Sequence, residues 1–131
     1  MGDSDCGETI KRGGQAALGA LPSLDCKHPA DAATAIAEAV GTGVGGTSGA
    51  LYQLFFAAAS AALRNSAAQD TTSREYAAAL LAGVQSIQKH GKAREGDRTM
   101  VDALAPAAAA AVEAAEGAVI GICAISLFFK S

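Results

Sequence analysis

The chain has 131 residues, half of them hydrophobic and 18% charged, with a net charge of -3 and no tryptophan, which fits one domain. A quarter of the residues are alanine and only 5% are aromatic, so closely approaching helices are expected rather than a sheet: alanine has the best helix propensity and offers little to a pleated surface. The mild acidity (pI ≈ 5.2) and ten scattered Lys and Arg leave no basic stripe, which argues against nucleic acid as a partner.

The first periodic segment runs from Pro29 to Val40, with a proline suited to the first helical position and Ala32, Ala35, Ile36, Ala39 and Val40 at helical spacing. A glycine-rich loop, Gly41 to Gly49, is expected to stop it. The next segment puts Leu51, Leu54, Phe55, Ala58, Ala62 and Leu63 on one face and Tyr52, Phe56 and Ser60 on a second row, the pattern of a largely buried helix. Thr72-Ser73-Arg74-Glu75 reads as a capping box opening a third helix through Tyr76, Leu80, Val84 and Ile87 to His90-Gly91. After the polar stretch Lys92 to Gly96, Asp97 is placed to cap a further helix carrying Val101 and Leu104, which Pro106 should kink or restart because it lacks an amide donor. The apolar stretch Ala118 to Phe129 falls short of the roughly 20 residues a membrane crossing needs.

Cys6, Cys26 and Cys123 are odd in number, far apart and without Cys-x-x-Cys spacing, so neither a disulfide framework nor a zinc site is expected and a reducing, cytoplasmic setting is. The opening Met-Gly-Asp-Ser-Asp has neither a basic start nor an apolar core, which argues against a secretory signal. Cys6 stands where myristoylation wants Ser or Thr.

Gly41-Thr42-Gly43-Val44-Gly45-Gly46 matches G-x-G-x-x-G, but a dinucleotide loop must follow a strand and this one follows an alanine-rich helix. Gly41 to Ser48 also approaches the phosphate-loop pattern, with Thr47 where the lysine belongs. Both readings fail. What remains is physical: Gly45-Gly46-Thr47-Ser48-Gly49 exposes amides and two hydroxyls where a helix begins, an arrangement suited to phosphate. The competing reading is a flexible connection in which Ser48 is an ordinary N-cap.

In Gly2-Asp3-Ser4-Asp5-Cys6-Gly7, two carboxylates two residues apart between glycines can point at one hard cation such as Mg²⁺, against the plainer reading of a solvated acidic pair. A calcium loop counted from Asp3 would want Glu at its twelfth position, which is Gly14. His28 and His90 lack partners at ligand spacing and read as surface or capping residues, and Cys6 has no adjacent base.

Three segments taken together, Gly-Asp-Ser-Asp-Cys-Gly at 2 to 7, Gly-Gly-Thr-Ser-Gly-Ala-Leu-Tyr at 45 to 52 and Gly-Asp-Arg-Thr-Met-Val-Asp-Ala-Leu-Ala-Pro at 96 to 106, resemble the nucleotide-binding L domain of dihydroxyacetone (glycerone) kinases, in the ATP-dependent single-chain form. The resemblance implies a barrel or bundle of antiparallel amphipathic helices, incomplete relative to the family domain, with residues 1–117 a partial L domain and 118–131 an unmatched apolar tail. It implies MgATP binding, with Asp3 and Asp5 as magnesium ligands and Ser4 and Cys6 lining the same loop. Thr47 and Ser48 would hold phosphate oxygens, Gly91 would let the nucleotide near the backbone, and Thr99 with Met100 would lie against it.

The implied reaction is transfer of the γ-phosphoryl of ATP to a hydroxyl of dihydroxyacetone, no residue of this chain acting as a covalent catalyst. The family grips the ketone with a histidine of a separate K domain, a motif that neither His28 nor His90 matches. Its further upstream aspartate and glycine-rich lid have no counterpart here, Ala118 to Ser131 standing in the lid's place. A homodimer, where one forms, would be built by the full-length protein. The alternative is a catalytically inactive, truncated helical module that binds nucleotide weakly or docks a partner protein.

Overall fold

The computed structural model describes residues 6–24, 27–66 and 70–128, with side chains for 7–24, 27–66 and 70–117. Five helices make up the chain, α1 (Cys6–Ala20), α2 (Pro29–Gly43), α3 (Gly46–Arg64), α4 (Ser73–Gly91) and α5 (Val101–Phe128), with a 3-10 turn at Leu21–Ser23 and no strand among the described residues. The all-α expectation holds. No helix among them is long and apolar enough to cross a membrane.

Each helix packs on its neighbours in sequence, giving an open antiparallel row rather than a closed ring among the described residues. The end of α3 meets the start of α2, where Arg64 Nη2 lies 2.6 Å from Asp31 Oδ1 and the Ser60 hydroxyl donates to the Ala30 carbonyl at 2.7 Å. Ser60 is buried, and its oxygen also lies 2.8 Å from that of Thr34, so neither hydroxyl is stranded in the apolar interior. The end of α4 returns to the start of α3, where Gly91 lies beside Leu51.

The core sits between α3, α4 and α5: Phe55, Val84, Ile87, Val101 and Ala108, with Leu51, Leu80, Met100 and Leu104 packed around them. Val84, Ile87 and Val101 are the largest fully buried side chains, and each contributes roughly 1.5–3 kcal/mol by leaving water. Phe55 reaches α4 because residue 83 is glycine; a methyl there would fall 2.6 Å from its ring. The Phe55 and Phe56 rings meet edge to face, centroids 5.2 Å apart.

Four expectations change. Residues 6–20 form a helix, although four glycines at 7, 13, 14 and 19 mask its pattern. Helix α2 continues to Gly43, so only Val44 and Gly45 separate it from α3; packing overrides the poor propensity of Gly41 and Gly43, which lie against Gln53 and against Ala16 of α1. Asp97 does not cap α5, for reasons given below. Pro106 does not interrupt α5, because its ring is exposed and the Asp102 carbonyl that loses its donor can turn toward water. α5 also crosses Gly117 unbroken. At about 1.5 Å per residue its 28 residues outreach the 19 of α4, and since Ala111 to Glu116 already lie level with Ser73 and Arg74, the remainder passes beyond the α4 start.

Candidate functional site

Helix α3 begins without a side-chain cap. Its N-cap is Gly45, and Thr47 and Ser48 lie in the first turn with exposed side chains that make no hydrogen bond among the described residues. Ser48 is therefore not the N-cap, and the plain capping reading fails. The contrast with α4 is direct: there the Thr72 N–H donates to Glu75 Oε2 at 2.8 Å, the Thr72 hydroxyl bonds the same oxygen, and the Arg74 N–H donates back to Thr72 Oγ1 at 3.3 Å. These bonds, the Thr72 hydroxyl first, hold the Glu75 carboxyl below its ordinary value of 4.5. One helix closes its N-terminal donors with its own side chains, whereas α3 leaves amides, dipole and hydroxyls facing outward.

The antiparallel order brings other expected residues to the same end. Gly91 is the last residue of α4, beside Leu51 on the second turn of α3, and Met100, just before α5, packs on the same core as Leu51. Lys92 follows Gly91 in the left-handed region, φ 56°, so the helix stops on a lysine. Beside this turn lies a groove of about 500 Å³ lined by Gln88, Lys89, Lys92, Ala93 and Arg94, cationic and without a carboxylate in its wall. His90 turns its Nδ1 to the Ser86 carbonyl at 2.9 Å, a capping role as expected.

The loop from Lys92 to Met100 is ordered by two carboxylates. Asp97 Oδ2 accepts the Arg94 N–H at 2.8 Å while the Asp97 N–H donates to the Arg94 carbonyl at 3.1 Å, so Asp97 closes its own turn and is unavailable to cap α5. That work falls to Thr99 and Asp102: Thr99 Oγ1 accepts the Val101 N–H at 3.2 Å, and Asp102 Oδ2 accepts the Thr99 N–H at 2.8 Å. Asp102 Oδ1 also takes the Gly96 N–H at 2.5 Å. The Gly96 bond first, then the Thr99 bond, hold the Asp102 carboxyl below its ordinary 3.8. Asp102 was legible as a second Thr-x-x-acid spacing, like Thr72 to Glu75, and was passed over for the nearer Asp97.

Asp3, Ser4 and Asp5 lie outside the described residues, and Cys6 enters only as the first residue of α1. Helix α1 meets α2 at the end from which α3 departs, Gly13 against Val44 and Ala16 against Gly43. Among the described residues no three His, Cys, Asp or Glu side chains gather as a metal site. The donors present at the α3 start, amides and hydroxyls, are those a phosphate takes.

The DAK2 domain family matches residues 1–123. The chain is 40% identical over 111 residues to the dihydroxyacetone kinase of Komagataella pastoris, 80% of this chain and 18% of that protein. It is 39% identical over 111 residues to the dihydroxyacetone kinase of Pichia angusta, again 80% and 18% of the two chains. To the triokinase/FMN cyclase of Mus musculus it is 43% identical over 110 residues, 82% of this chain and 18% of that one. No solved structure matches it significantly. The chain thus spans about a fifth of the length of these relatives, and over nearly all of its own length it belongs to the DAK2 domain family.

Proposed function

We propose that the chain is the nucleotide-binding part of an ATP-dependent dihydroxyacetone kinase, residues 1–117 forming a partial L domain that works with a substrate-holding K domain elsewhere in the full-length protein. The observation that carries this reading is the start of α3, where a glycine N-cap leaves the first-turn amides and the Thr47 and Ser48 hydroxyls free. The amides and hydroxyls donate to phosphate oxygens, and the positive end of the helix dipole faces the charge. Gly91 leaves room for the nucleotide, Thr99 and Met100 lie against it, and Lys89 and Lys92 add positive potential at the same end. Asp3 and Asp5, immediately before α1, have the oxygen chemistry a Mg²⁺ ion prefers, with Ser4 and Cys6 lining their loop. MgATP, when bound, supplies the γ-phosphoryl for a triose hydroxyl; the chain contributes positioning and charge neutralisation.

The open row also leaves an apolar groove of about 340 Å³ between α2, α3 and α4, lined by residues that include Ile36, Phe55, Phe56, Tyr76 and Leu80. Further polypeptide of the full-length protein would cover it.

Calorimetric titration of the chain with ADP, with and without Mg²⁺, tests the reading. Binding should require Mg²⁺ and should be lost in Asp3→Ala plus Asp5→Ala. Equal heats with and without the metal, or an unaltered double variant, contradict the magnesium assignment, and no heat in any condition contradicts nucleotide binding.

A further inference from the structure

Residues 94 to 102 hold their shape with almost no apolar burial of their own. Arg94 to Thr99 are exposed, Gly96 sits at φ 98° and Arg98 at φ 56°, a left-handed conformation that non-glycine residues adopt at a cost of about 1 kcal/mol or more. A backbone in such a conformation persists only where its surroundings impose it. What imposes it is the Asp102 carboxylate, whose two oxygens take the amides on either side of Asp97 and Arg98: Gly96 on Oδ1 at 2.5 Å and Thr99 on Oδ2 at 2.8 Å. The chain between these amides wraps around one side chain, and the next two residues are Thr99 and Met100.

Resting on the nucleotide reading above, we propose that Asp102 is a positioning residue for nucleotide binding: by clamping the Gly96 and Thr99 amides it sets the backbone that presents Thr99 and Met100 to the ligand. Asp102 itself touches no nucleotide. With both oxygens committed to backbone donors, it acts only through the loop it gathers, whose lowered carboxyl pKa reflects the same two bonds. Met100 is anchored from its other side by the core it shares with Leu51 and Leu104, so the clamp fixes the rotation of the loop about that anchor. Without the clamp, Arg98 can relax from the left-handed region, and Thr99 moves with it.

The fold supplies its own control, because Thr72 and Glu75 form the same kind of Thr-x-x-acid box at the opposite end of the row. Asp102→Asn keeps the size of the side chain but replaces one acceptor by an amide that cannot take an N–H. Its affinity for MgADP should fall by about tenfold or more, the scale of one charge-assisted hydrogen bond, and amide exchange at Gly96 and Thr99 should accelerate. Glu75→Gln should lower the thermal midpoint comparably while leaving MgADP affinity within about twofold. Asp102→Glu, which recreates the Thr-x-x-Glu box and folds where the asparagine variant does not, should recover most of the affinity. Asp102→Asn binding MgADP like the parent chain, or Glu75→Gln losing as much affinity as Asp102→Asn, overturns the positioning role. A parent chain that binds no MgADP overturns the nucleotide reading and this inference together, whereas binding that is indifferent to residue 102 overturns this inference alone.

Discussion

Gly49 and Val44 meet backbone to side: a methyl built on Gly49 would lie 1.8 Å from the Val44 carbonyl oxygen. That carbonyl belongs to the two-residue elbow between α2 and α3, so the contact fixes the angle at which α3 leaves and hence where its first-turn amides point. Gly49→Ala must push backbone against backbone and should cost about 3 kcal/mol, at the upper end of overpacking effects. Gly45→Ala, where nothing lies within 4 Å and φ is -75°, should shift stability by less than about 1 kcal/mol and serves as the control. Urea denaturation of both variants measures this; similar midpoints would contradict the close approach.

Acid should release the two capping carboxylates. Both sit below their ordinary values, so each binds its proton less readily folded than unfolded, and its contribution is complete above the unfolded value and fades as pH falls through the folded one. Stability should therefore hold from neutrality to about the ordinary carboxyl range near 4.5 and decline below it. In Glu75→Gln the decline should be shallower, as seen in thermal midpoints taken between neutral and acidic pH. An identical slope in the variant contradicts the box.

Lys92 ends α4 in the left-handed region where glycine is at ease. Lys92→Gly should raise stability by about 0.5–1 kcal/mol in chemical denaturation, the relief of the left-handed strain less the entropy glycine gains when unfolded. A neutral or destabilised variant would mean that the lysine stem packs usefully on the turn.

Truncation after Gly117 keeps every α5 residue that lies along α4, up to Glu116. The thermal midpoint and any MgADP binding should survive it. Solubility should rise, because Ala118 to Phe129 carries no charge and no proline and is rich in β-branched and aromatic residues. Loss of folding on truncation would show that the segment is part of the native core.

The elements legible in the sequence were those with local signals. Pro29 starts α2 and Thr72 with Glu75 starts α4, because a fixed φ and a capping box act within four residues of chain. The illegible parts depend on contacts distant in sequence. Gly13 and Gly43 read as helix breakers, yet each lets α1 and α2 approach, and a helix that owes its glycines to a neighbour carries no sign of the neighbour. Ser48 read as a cap because serine prefers that position, but the cap is Gly45 and the hydroxyl is left free. The three loop motifs were visible as composition; the Asp102 clamp between two of their residues needed the backbone geometry of Gly96 and Arg98.

The central claim, that the start of α3 is a phosphate site rather than a capped helix end, is tested most directly by Thr47→Val plus Ser48→Ala. Neither hydroxyl has a partner among the described residues, so the melting point of the ligand-free chain should stay within a degree or two of the parent, while MgADP affinity should fall by about tenfold or more as two hydrogen bonds to charged phosphate are lost. Calorimetry and thermal melts on one preparation give both numbers. Unchanged affinity, or a ligand-free melting point that drops as far as the ligand-induced shift, would contradict the account.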